Sequence, residues 1–98
     1  MAVEHLVLLA LDRDRLTEEH RRDVRELAGR VRAELGIAFE NQVAFTEPKD
    51  SRVVAALSHW RFADTEDLRR FRESKSHLDH LAFMRPVLLD KQILDREI

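Results

Sequence analysis

Five histidines are the side chains of this sequence best suited to moving protons near neutral pH: His5, His20, His59, His77 and His80. An ordinary imidazole titrates at about 6.5, so a histidine set beside an apolar surface is a candidate general base rather than a solvated cation. Two of the five lie in Ser74-Lys-Ser-His-Leu-Asp-His-Leu-Ala-Phe83, where His77 and His80 stand three positions apart and each precedes an apolar residue. That spacing makes them neighbours on one helix face. His5 falls inside the apolar run that opens the chain, where a polar ring is costly unless hydrogen-bonded. It reads either as a satisfied histidine at the edge of the core or as one half of a site. His20 stands among charges and reads as surface; His59, beside Trp60 in a strand pattern, reads as structural.

Other chemistries are poorly supplied. The chain has no cysteine, which removes disulfides, thiol nucleophiles and thiolate metal ligands. It has no His-Glu-x-x-His pattern, and Asp79 would point elsewhere on the helix of His77 and His80, so no metal is expected. Gly29 and Gly36 are the only glycines, too few for a phosphate-cradling loop or a dinucleotide fingerprint, and no serine occupies a nucleophile elbow. What remains is general acid–base work by histidine in an apolar pocket. The 17 basic and 19 acidic residues are interspersed, giving net charge −2 and no basic stripe for nucleic acid. The longest apolar run, Leu6 to Leu11, falls far short of the ~20 residues of a membrane span. The first residues lack the pattern of a signal peptide, and a soluble cytoplasmic protein is expected.

The elements that must position these residues can be read from periodicity. Val3 to Leu11 predicts a strand buried on both faces. Thr17 is a natural helix cap before Glu18 and Glu19; Val24, Leu27, Ala28, Val31 and Leu35 then recur at helical spacing, and Gly36 ends the helix. Glu18 with Arg22, Arg22 with Glu26, and Glu26 with Arg30 predict a charge-laced outer face. Ile37 to Phe45 predicts an irregular strand, Glu47-Pro-Lys-Asp-Ser51 a turn, and Arg52 to Phe62 a longer strand. That strand sets Val54, Ala56, Ser58, Trp60 and Phe62 on one side and Val53, Ala55, Leu57, His59 and Arg61 on the other. Asp64 or Thr65 opens a second helix with Leu68 and Phe71 inward. Ser76, with Asp79 in a capping-box position, opens a third that runs to about Met84 and is ended by Pro86; Val87 to Leu94 closes the chain as a strand.

This order predicts one domain over residues 1–98: an α+β, ferredoxin-like βαββαβ sheet with helices on one face. The second face keeps apolar side chains that a chain of this length cannot cover, which predicts pairing of two copies as a homodimer.

The opening Val3-Glu4-His5-Leu6-Val7, the segment Phe62-Ala-Asp-Thr-Glu-Asp-Leu-Arg-Arg-Phe71, and His77 followed by a short helix and a strand reaching Asp95 together resemble the stress-responsive dimeric α+β barrel (Dabb) family over nearly the whole chain. The resemblance implies a dimeric barrel and, from the polyketide cyclases of the family, a cofactor-independent aldol-type ring closure. Where the family often has His-Pro-x-His, this chain has Ser74-Lys-Ser-His77. His77 then matches the catalytic histidine of those cyclases and His5 a histidine lining the same pocket. Phe71 stands where they keep a tyrosine, and Ala56 where they have a further histidine. The alternative register, pairing His77 with His80 in the motif, displaces the last strand by three residues. Losing the tyrosine removes a hydrogen-bond donor to a developing oxyanion, commonly worth about 10²–10³ in rate.

Two readings follow from residues and resemblance together. In the first, His77 is a general base with His5 as its partner, acting on a polyketide-like or aromatic molecule held by Val7, Val54, Ala56, Ser58, Trp60, Phe71 and Phe83, with Phe62 also shaping the pocket. In the second, the protein binds a hydrophobic small molecule without turning it over, as a stress-associated module. A cofactor-independent oxygenase is a further alternative, by analogy with other proteins of that architecture.

Overall fold

Periods of two and 3.6 in the sequence resolve into one sheet backed by one layer of helices. The computed structural model describes Met1 to Ile98. The strands are β1 (Val3–Asp12), β2 (Phe39–Thr46), β3 (Val53–Phe62) and β4 (Leu88–Glu97); the helices are α1 (Glu18–Leu35), α2 (Thr65–Glu73) and α3 (Lys75–Met84), with a 3-10 turn at Arg85–Val87. The strands lie in the order β2-β3-β1-β4, every pair antiparallel. This is the ferredoxin-like α+β arrangement. No helix is long and apolar enough to cross a membrane.

Alternation along the central strands decides which side chains reach the helices. Val54, Ala56, Ser58, Trp60 and Phe62 of β3 are all buried, as are Val3, His5, Leu9 and Leu11 of β1. The expectation that β1 is buried on both faces does not hold: Leu8 is 40% exposed, because the second sheet face has no layer against it. Leu57, at 44%, lies on the same open face. The register sets His5 opposite Trp60 of β3 and Asp95 of β4, Val7 opposite Ser58 and Ile93, and Leu9 opposite Ala56 and Lys91. Two apolar clusters fill the space beneath the helices. One joins Val31, Trp60, Phe62, Leu68 and Phe71; the other joins Leu11, Val24, Val54, Ala56, Met84 and Val87.

Helix ends hold the surprises. Thr17 caps α1 as predicted, and the reciprocal bond comes from His20, whose Nδ1 accepts from the Thr17 N–H at 3.1 Å. Gly36 ends the helix at φ +62°, a left-handed position that favours glycine. The expected four-apart charge ladder does not form. Arg25 reaches Glu18 at 3.4 Å and Arg30 reaches Asp23 at 2.8 Å, each two turns away; exposed four-apart pairs are worth only about 0.3–0.5 kcal/mol, too little to dictate rotamers. The cap of α3 is Ser74, not Ser76. Its buried hydroxyl donates to the Phe71 carbonyl at 2.7 Å and accepts from the His77 N–H at 3.1 Å, closing α2 and opening α3 at one atom. Asp79 is taken by Lys75 (2.5 Å), while Glu34 of α1 accepts from the N–H groups of Lys75 and Ser76 at 2.9 and 2.8 Å.

Candidate active site

A cavity of about 230 Å³ opens where the two apolar clusters adjoin, bounded by β1, β3 and β4 below and by α1, α2 and α3 above. Val7, Leu9, Leu27, Trp60, Phe71, Leu81 and Ile93 give it an apolar wall. Its polar lining is His5, Ser58, Arg72, His77, His80 and Lys91, with no carboxylate among them.

His5 is 2% exposed and hydrogen-bonds Asp95 through Nδ1, an arrangement fixed by the β1–β4 register. The other Asp95 oxygen receives the Arg72 guanidinium. Because an ionised carboxylate only accepts, the His5 proton sits on Nδ1 and the Nε2 lone pair is left over. Burial pushes the His5 pKa down; the Asp95 bond and charge oppose this and are outweighed, while Arg72 and Lys91 add to the fall.

His77 is the third residue of α3, and the Ser74 cap fixes its backbone. Its Nδ1 lies 3.1 Å from the Arg72 carbonyl, an acceptor, so this ring too is protonated on Nδ1 with Nε2 free. Burial is the main cause that brings its pKa down from 6.5 to about 4; the Arg72 carbonyl opposes the shift, and electrostatic repulsion from the neighbouring basic groups His80, Lys91 and His5 adds to it. His77 is therefore a neutral base over the whole physiological range.

His80, to which the favoured register of the resemblance gives no role, is 7% exposed and lines the same cavity. Its Nδ1 lies 2.6 Å from Asp23 Oδ2, and the other Asp23 oxygen accepts from Arg30 at 2.8 Å. Burial works to raise the Asp23 carboxyl, but the His80 and Arg30 contacts prevail and hold it below its ordinary value. The chain thus builds two similar triads, Arg72–Asp95–His5 and Arg30–Asp23–His80, from different elements around one space. The sequence signal for the second was the His77/His80 spacing itself; its partner Asp23, on another helix, carried none.

Phe71 is 1% exposed and separates the histidines, with ring centroids 5.7 Å from His5 and 4.5 Å from His77. His77 and His80 are 6.4 Å apart by the same measure. No three His, Cys, Asp or Glu side chains are grouped to hold a metal ion.

Of the residues expected to bind a ligand, Val7, Ser58, Trp60 and Phe71 line the cavity. Val54, Ala56 and Phe62 do not. All three share the correct face of β3, but Val54 and Ala56 are sealed beneath Met84 and Val87, and Phe62 packs within the Trp60 cluster. Phe83 lies outside, 41% exposed and stacked 4.7 Å from His20. Leu9, Leu27, Arg72, Leu81, Lys91 and Ile93 were not anticipated; their exposure to the cavity depends on how α2 and α3 cross the sheet, which no local pattern encodes. His59 lies on the open face, 2.6 Å from Glu4.

No protein-family model matches the chain, and no curated protein sequence is similar to it. Solved structures resemble it at the level of fold. A dimeric protein of unknown function and ferredoxin-like fold from Bacteroides fragilis superposes with a TM-score of 0.75 at 18% identity, over 99% of this chain and 96% of that one. A Dabb family protein from Mesorhizobium loti gives 0.67 at 17% identity, over 99% and 96%. SnoaB, a cofactor-independent oxygenase from Streptomyces nogalater, gives 0.69 at 11% identity, over 99% and 92%. These likenesses concern the backbone arrangement, and function must be argued from the site.

Proposed function

We propose that the cavity is the active site of a cofactor-independent acid–base enzyme acting on a small polyketide-like or aromatic molecule. The observation that carries this reading is three imidazoles, each tethered through Nδ1 and each with an unpartnered Nε2, around one otherwise largely apolar space. His77 takes a proton from a carbon next to a substrate carbonyl, through Nε2. The Ser58 hydroxyl, which has no partner within the chain, donates to that carbonyl oxygen as it gains charge. The carbanion attacks a second carbonyl of the same molecule, forming the C–C bond. The new alkoxide regains the proton from the imidazolium, so the reaction is a balanced isomerisation. His5 and His80, each backed by an aspartate, can carry that proton between positions, a task the phenylalanine at position 71 cannot share.

The test is deuterium incorporation at the central carbon of a 1,3-diketone in D2O, followed by NMR, together with ring closure of a linear poly-β-ketone. The protein should accelerate both, and His77→Gln should lower the exchange by about 10²–10⁴, the span of general-base catalysis. Equal rates in the two proteins would remove His77 from the role. Ligand binding with no exchange would leave the alternative, a non-catalytic binding module.

A second reading shares the first step. The oxygenase activity of SnoaB, a protein of the same fold, favours a carbanion that reacts with dioxygen, which then supplies one oxygen to the product and one to water. Dioxygen consumption that follows substrate addition distinguishes it from ring closure.

We also infer that two copies associate through the open sheet face, where Leu8, Leu57 and Leu94 are 40%, 44% and 61% exposed. The description of a structural neighbour as dimeric supports this pairing.

A further inference from the structure

We infer that the cavity selects a small apolar molecule bearing one anionic group, a carboxylate foremost, and that Lys91 reads that charge. This rests on the reading of the cavity as the ligand site, and not on the reaction assigned to it. Three observations lead there.

The first is the sign of the lining: every charged or ionisable side chain on the wall is basic, and no carboxylate faces the space. The second is which of those charges are already matched. Arg72 is bound by Asp95, and Arg30, behind His80, is bound by Asp23. Lys91 stands opposite Leu9 in the β1–β4 register, on the helix side of the sheet, and its ammonium has neither an ion-pair nor a hydrogen-bond partner, although its backbone N–H donates to the Asp90 carboxylate. It is near enough for its charge to act on both His5 and His77. The third is position. Arg72, Lys91 and Ile93 are the exposed members of the wall, so they mark a mouth between α2 and the edge strand β4. Trp60 of β3 and Phe71 of α2, 2% and 1% exposed, belong to the buried part of the wall.

A ligand that fits this distribution carries its charge at the mouth and its hydrocarbon body inward. At about 230 Å³ the cavity is smaller than the ~300–1,000 Å³ common for drug-sized ligands, which sets the scale at one or two rings. A neutral isostere fills the same volume but leaves the Lys91 ammonium to water. A dianion would have to compete with Asp95 for Arg72.

Cyclohexanecarboxylate and cyclohexylmethanol match in body and differ in charge. Their affinities can be measured at fixed ionic strength by NMR titration, with fluorescence of Trp60, the single tryptophan, as a second signal. The protein should bind the acid about two- to fivefold more tightly than the alcohol, the range for a partly exposed ion pair. Lys91→Gln should erase that preference without changing the affinity for the alcohol. Lys49→Gln, in the exposed turn before β3, should leave both affinities unchanged. Equal binding of the two probes, a preference that survives Lys91→Gln, or no binding of either would each overturn the assignment. Because no turnover is measured, a failure of the proton-exchange chemistry leaves this result standing. An exchange-active protein that does not distinguish the probes loses only the assignment made here.

Discussion

His77 should make the protein sensitive to mild acid in a window where few other groups respond. In the unfolded chain its imidazole takes up a proton below about 6.5, whereas in the folded protein it stays neutral until about 4. The unfolded state therefore binds the proton first. The stabilisation is fully present above 6.5, declines as pH falls, and is exhausted at about 4. Between pH 7.5 and pH 5.0, linkage over that interval gives about 2 kcal/mol, and solvent reaching the half-buried ring trims this to about 1–2 kcal/mol. For a domain near 100 residues this corresponds to a fall of roughly 5–10 °C in Tm. The assay is urea unfolding of the parent and of His77→Gln at both pH values; the glutamine amide can still donate to the Arg72 carbonyl. His5 also has a lowered pKa and destabilises both proteins in the same window, and the lowered carboxylates Glu4, Asp23, Glu34, Glu47 and Glu66 stay ionised at pH 5.0. The double difference thus isolates His77. The parent should lose about 1–2 kcal/mol more than the variant between the two pH values. Identical losses would mean that the ring is not held neutral, and the assignment of His77 as a free base at neutral pH would fall with it.

Two further outcomes follow from packing. Ser74→Ala removes the hydroxyl that caps α3 and satisfies the Phe71 carbonyl, and should cost about 1–2 kcal/mol in chemical denaturation, with Ser74→Thr recovering part of it. Leu57→Glu places a charge on the open sheet face, so light scattering should report a monomer where the parent is a dimer. A parent that is already monomeric at micromolar concentration would refute the pairing.

The strands, α1 and the layering were legible because their information is local: alternation from Val53 to Phe62, a helical stripe from Val24 to Leu35, a threonine before it and a glycine after it. His5 stood out for the same reason, as a polar ring in an apolar run, whereas His77 was set apart from His80 only by the family resemblance. The Ser74 cap was missed because Ser76 and Asp79 present an equally good local pattern. The choice between them was made by Glu34, forty-odd residues away, which receives the N–H groups of Lys75 and Ser76. Asp23 was hidden similarly, reading as one more charge on an outer helix face. Its turn toward His80 depends on how α1 packs against α3. Val54 and Ala56 were placed on the right face of β3 but at the wrong depth, since periodicity gives the side of a strand and not what lies above each position.

The edge position of β4 bears on how anything reaches the cavity. This strand contributes Lys91, Ile93 and the Asp95 that orients His5, yet it pairs on one side only, and every residue from Leu89 to Ile98 is exposed. A strand with one neighbour and little buried surface opens at a lower free energy than the sheet it borders. Its amides should exchange with solvent ahead of those of β1 and β3. Because Asp95 reaches His5 only through the β1–β4 register, any separation of β4 from β1 would also undo the His5–Asp95 contact, so the dyad is only as durable as the pairing of this one edge strand.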